Sequence, residues 1–170
     1  MPRVSPIFAV FALVAFLIGS GSWVARTSAQ MATPGAEDTG APLVLIEHAD
    51  LVTEVDLGEA GPSIGDMLVW GPNALYNQAD TTDTGATTQG ACITFNAEAD
   101  CIANESILFP DGSTLELQGI ERGGGVPSMR TIVGGSGRYL GAAGTVDVTP
   151  SADLLLWTKT FTFAVPEGRR

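Results

Sequence analysis

Residues 133–146 read VGGSGRYLGAAGTV and place Gly134, Gly135, Gly137, Gly141 and Gly144 between two β-branched runs, residues 130–133 and 145–149. Glycine at that density supplies positive φ, bulges and close backbone approach where side-chained residues resist them. A helix through such a stretch would lose roughly 1 kcal/mol per glycine relative to alanine. The stretch is therefore expected to be a sharp corner joining two strands. A phosphate-cradling loop is the alternative use of clustered glycine, but Gly135-x-Gly137-x-x-x-Gly141 is not the dinucleotide fingerprint and no Gly-Lys-Ser/Thr ending follows.

The rest of the composition points the same way. Twenty-one glycines and ten prolines in 170 residues disfavour long helices, while 45% apolar content is enough for one core. All 19 acids lie beyond residue 29, whereas Arg3 and Arg26 come before it, so residues 30–170 carry six bases and a net charge of −13. A body so anionic is repelled by nucleic acid and by anionic membrane surfaces, which removes both as expected partners.

Arg3, the apolar run at residues 7–18 (IFAVFALVAFLI) and Thr27-Ser28-Ala29 have the grammar of a secretory signal peptide cut after Ala29. An uncleaved N-terminal membrane anchor is the alternative, although the run falls short of the ~20 residues that span a bilayer. Residues 30–42 (QMATPGAEDTGAP) read as a disordered linker, residues 43–166 as one domain and residues 167–170 as a tail.

Within the domain, residues 43–57 alternate as one strand or two short ones, and residues 64–70 start another. Gly71-Pro72-Asn73 is expected to turn the chain, and residues 77–90 (NQADTTDTGATTQG) to form a polar loop. Asp80 and Asp83 in that loop lack the ligand order of a calcium loop. Residues 101–109 and 113–120 form a hairpin about Pro110-Asp111-Gly112, and residues 121–128 a flexible loop. The last strand, residues 154–165, should stack Leu155, Trp157, Phe161 and Phe163 on one face against Thr158, Thr160 and Thr162. About eight short strands without a credible helix suit a small closed barrel, with a two-sheet sandwich as the rival.

Cys92 and Cys101 bracket residues 93–100. A two-residue loop centred between Asn96 and Ala97 would set them directly opposite as a non-hydrogen-bonded pair, whose Cα separation of about 4.5 to 5.5 Å suits a disulfide. A reactive thiol or half of a metal site is the other use of the pair, for which the chain offers one imidazole, His48, and no further Cys. His48 beside Glu47 reads as a surface residue, and there is no Gly-x-Ser-x-Gly elbow for a hydrolase. No metal site and no cofactor motif is legible.

Four segments resemble one superfamily, that of allene oxide cyclases and dirigent proteins. VGGSGRYLGAAGTV is similar to its ITGG[ST]G-x-[FY]-x-G-x-x-G-x-V segment. Gly65-Asp66 with Asn73-x-Leu75-Tyr76 is similar to the cyclases' GD…SNKLY, DGSTLELQG to their YGHISVQG strand, and residues 154–165 to their terminal TKLFYTF strand. The resemblance implies an eight-stranded antiparallel β-barrel over residues 43–165, a homotrimer, and a lumen that holds a hydrophobic small molecule in one conformation. It would act there as a cyclase-like isomerase or a guide of radical coupling by templating, without a catalytic triad. A ligand carrier or structural module on the same barrel is the alternative.

Carried over by position, the resemblance makes Asn73 and Tyr76 ligand-binding residues and gives Cys92 a place on the cavity wall. Glu47 stands on the first strand where the cyclases keep a catalytic Glu, and Asn73 would hold a water or substrate oxygen beside it. The Glu-x-Asn and downstream Ser-Pro that accompany the cyclases' Glu are not present. Arg138 and Tyr139 follow the glycine corner, where a guanidinium can tie the corner to an acid or meet a ligand.

Overall fold

The structure, a computed structural model, describes residues 42–58 and 60–164. The signal-peptide and cleavage reading, nearly all of the linker and the tail lie outside these residues. Nine strands follow in order: β1 (Leu43–His48), β2 (Val52–Val55), β3 (Met67–Asn77), β4 (Asp83–Thr94), β5 (Cys101–Leu108), β6 (Thr114–Glu121), β7 (Ser128–Ser136), β8 (Gly144–Pro150) and β9 (Leu156–Phe163). From β3 to β9 each strand pairs antiparallel with the next, and β1 pairs with both β9 and β3. That double pairing closes the sheet into a barrel, with the short β2 paired on one side only, which rules out the sandwich. β1 and β2 lie along the same side of β3, β1 against Leu75–Asn77 and β2 against Met67–Trp70, so together they make one interrupted stave of an eight-stranded barrel.

Alternation sets what faces the bore. On β5, Cys101, Ala103, Glu105 and Ile107 are buried while Ile102, Asn104 and Leu108 are exposed. At one end Leu75, Ile107, Leu115, Leu117, Ile132, Val146 and Phe161 fill the bore with scarcely any exposed surface. The glycine-rich corner supplies the plug of that end. A 3-10 turn at Gly137–Tyr139 lays the Tyr139 ring 4.7 Å from Phe109 and 6.0 Å from Phe163, and Arg138 sits over Phe109 with Asp111 3.5 Å away. So the guanidinium does tie the corner to an acid.

Several local expectations are corrected. Gly71-Pro72-Asn73 does not reverse the chain: β3 runs through it, and the register slips between Trp70 and Asn73. The bulge suits these residues because Pro72 has no N–H to give to a ladder and Gly71 adopts φ +88° within reach of the Thr88 carbonyl, where a Cβ would come to 2.2 Å. Residues 77–90 are mostly strand. Only residues 78–82 turn, held by Asn77 Oδ1, which accepts from the Thr81 and Thr82 N–H groups. The threonines that suggested a loop are β-branched and fit the pleat. The expected loop at 121–128 gives up Glu121 to β6 and Ser128 to β7. Leu155 precedes β9 and is exposed, while Lys159 joins Trp157 and Phe161 on the inward face.

The β4–β5 register is also shifted. Thr94 lies opposite Cys101 and Cys92 opposite Ala103, so the cysteines are diagonal neighbours and the connecting loop is longer than two residues. Asn96 closes that loop by accepting from the Asp100 N–H at 2.9 Å. The disulfide forms all the same, because the diagonal brings the two Cα atoms to 5.4 Å.

Candidate functional site

Opposite the apolar plug the bore is open. A cavity of about 330 Å³ lies among Leu68, Trp70, Glu47, Glu121, Trp157 and the loop of residues 123–125, with Arg130 and Lys159 at its floor. Its residues come from the C-terminal ends of β1, β4 and β6 and the N-terminal ends of β3, β5, β7 and β9, which meet at one mouth.

The floor is a string of buried charges. Arg130 bridges the Glu121 and Glu105 carboxylates. Lys159 Nζ bridges Glu105 at 2.7 Å and Glu47 at 2.9 Å. Glu47 Oε1 accepts from Asn73 Nδ2 at 2.7 Å, and Asn73 Oδ1 accepts from the Leu51 N–H at 2.9 Å. Thr88 donates its hydroxyl to Glu105. Lys159 and Arg130 are 1% and 2% exposed, and Glu105 3%. A buried charge is tolerated only when paired and hydrogen-bonded, and each of these is.

Two glycines make room for the large members. A Cβ at Gly119 would come within 2.9 Å of the Arg130 Cα and 3.3 Å of its Cγ, so the bare β6 backbone seats the arginine stem. A Cβ at Gly90 would meet the Trp70 ring at 2.4 Å and the Asn104 carbonyl at the same distance, so the indole packs against the bare β4 backbone there. Arg130 in turn sits 5.7 Å over the Trp70 ring. Trp70 Nε1 and Arg130 Nε are buried without a hydrogen-bond partner among the described residues.

The electrostatics follow from the pairing. Burial disfavours the Glu105 carboxylate, but Lys159 and Arg130 together outweigh that and hold it below the usual glutamate range. Burial likewise disfavours the Lys159 ammonium, and Glu105 and Glu47 outweigh it in the other direction, keeping the lysine charged. Glu121 goes the opposite way. Burial raises its pKa, and Arg130 and Lys159 compensate only in part while Glu105 and Glu47 add repulsion.

Of the residues singled out in the sequence, Glu47 and Asn73 are brought together in this string, and Cys101 of the disulfide lines the cavity. Tyr76 is not with them. It follows inward-facing Leu75 on β3 and stacks on His48 at 4.0 Å, and His48 bonds Asp80 at 2.7 Å. Trp70, Glu105, Glu121, Arg130 and Lys159 escaped the sequence reading. The available signal was parity. Glu105 stands between Ala103 and Ile107, and Lys159 between Trp157 and Phe161, each in phase with apolar neighbours on the inward face.

No family model matches the sequence, and no curated protein matches it. Solved structures do. A pyocyanin demethylase superposes with TM-score 0.63 at 20% identity, over 73% of this chain and 100% of that one. The pterocarpan synthase dirigent protein GePTS1 gives 0.58 at 15% over 76% and 87%. The Diels Alderase AbmU from Streptomyces koyangensis gives 0.56 at 17% over 78% and 74%. With a closed eight-stranded bore that superposes on these structures, the chain has their barrel fold, the one its sequence resemblance implies.

Proposed function

We propose that the barrel binds a hydrophobic small molecule in its mouth and holds it in one conformation, in a cyclase-like or coupling-guide role. The observation that carries this reading is the mouth cavity itself, about 330 Å³ with apolar and indole walls over a floor of fixed charges. A space of that size suits one small organic molecule. Charges already paired and locked in the bore need no reorganisation when the bound molecule polarises, which is how such a site can favour one reaction geometry. Likeness to a dirigent protein and a Diels Alderase supports steering in particular.

Incubating the purified chain with an allene oxide, or with coniferyl radicals, and measuring product enantiomeric excess tests the steering role. A racemic product equal to the protein-free control, together with a small molecule retained in native mass spectra, would leave carriage without steering. Export, on the strength of the residue 1–29 pattern and a disulfide suited to an oxidising compartment, belongs to the same proposal. So does the homotrimer. Ile93, Ile102 and Ile120 stand in register across the outer wall, each about half exposed, and offer a surface that assembly would cover.

A further inference from the structure

The charge string at the mouth is unbalanced. It runs Glu121, Arg130, Glu105, Lys159, Glu47, so three carboxylates share two cations, and both ends are carboxylates. The middle carboxylate is sealed in the floor, whereas Glu47 and Glu121 at the two ends line the cavity. Among the described residues each end forms one ion pair, to a cation that it shares with Glu105. Glu54 on β2 lines the same cavity with no ion-pair partner among the described residues. The third cation at the mouth, Arg122, is already engaged by Asp100 at 3.1 Å. Above the floor stand two indoles, Trp70 and Trp157. The unpartnered donors do not reverse this balance, since Trp70 Nε1 and Arg130 Nε are shut from the cavity's solvent.

We infer that the mouth selects a ligand with an apolar ring body and a positively charged alkylammonium group, the ammonium seated between the Glu47 and Glu121 carboxylates. A cation there completes the string's neutralisation, gains a charge-assisted hydrogen bond and can lie against an indole face. Burial raises the Glu121 carboxyl's pKa, and the two cations of the string offset that only in part. The inference rests on the reading that the mouth binds an apolar-bodied molecule, and it adds the sign of the charge.

Three probes of one shape separate the two. In 0.15 M salt, calorimetric titration of the purified chain with 2-(1-naphthyl)ethylammonium, 2-(1-naphthyl)ethanol and 1-naphthylacetate should show the cation binding at least about tenfold tighter than the alcohol, and the anion weakest. Glu121→Gln should bring cation and alcohol to within about threefold. Glu54→Gln, on an exposed strand and harmless to folding, should narrow the ratio by about twofold. Asp83→Asn, at the end of β4 away from the mouth, should leave it alone. Equal affinity for cation and alcohol, or a preference that survives Glu121→Gln in a folded variant, overturns the inference and spares the binding reading. Failure of all three probes to bind overturns both.

Discussion

Lys159→Met tests whether the floor of the mouth is held by its charges. The ammonium is 1% exposed and lies 2.7 Å from Glu105 and 2.9 Å from Glu47, so methionine keeps most of the volume and removes the charge from two buried carboxylates at once. Breaking a buried pair by deleting one partner costs about 3 to 5 kcal/mol, because the remaining charge is stranded. Here Arg130 still serves Glu105, and Asn73 still donates to Glu47, which places the expected loss near the middle, about 4 kcal/mol. For a domain of this size that is a fall in Tm of roughly 15 °C. Guanidinium unfolding at pH 7.5 with the disulfide intact reads it directly.

The pH dependence supplies the stricter check. Stranded carboxylates bind protons more tightly in the folded variant than in its unfolded chain, so the deficit should shrink as the pH falls toward about 4.5, by up to ~1.4 kcal/mol per unit for each proton taken up. Adding Glu105→Gln returns the string to one excess negative charge and should recover roughly 2 kcal/mol of the loss. A loss under about 1 kcal/mol that is flat with pH, or a double variant whose cost is the plain sum of the singles, would refute the claim that these ions depend on one another.

Three further outcomes are expected. Glu121→Gln should be at least as stable as the wild type at pH 7, since burial raises this carboxyl's pKa; the advantage should fade as the pH falls through that raised value and vanish below about 4.5, where both forms are neutral, as parallel thermal melts would show. The raised Lys159 pKa adds stability that is complete below about pH 10.5 and is lost as the pH climbs through the folded-state value, so stability should fall less steeply above that pH in Lys159→Met than in the wild type. Gly119→Ala should destabilise the fold by about 1 to 3 kcal/mol, because the new methyl meets the Arg130 backbone and stem, and should weaken binding of the naphthyl probes; unchanged affinity and Tm would show that the arginine has room to move.

Sequence alone carried the architecture a long way. Glycine and proline abundance excluded long helices, period-two patterning marked most strands, and the glycine-rich corner fixed one hairpin, because each of these depends on the backbone preferences of neighbouring residues. Signals that local chemistry shares between two structures were misread. Gly71-Pro72 favours a turn or a bulge equally well, and only β4 lying alongside decides for the bulge. The threonines of residues 81–88 serve a loop or a strand, and the pairing with β3 and β5 settles it.

The charge string lay outside what sequence could fix. Its five members come from β1, β5, β6, β7 and β9, and nothing in their spacing along the chain relates Glu47 to Lys159. Parity could say that each points inward, but not which inward positions share a level. That depends on the stagger between strands and on where the sheet closes, both set by the summed pairing of the whole barrel. The apolar half of the bore follows from composition and alternation, whereas the polar mouth exists because closure brings five distant side chains to one level.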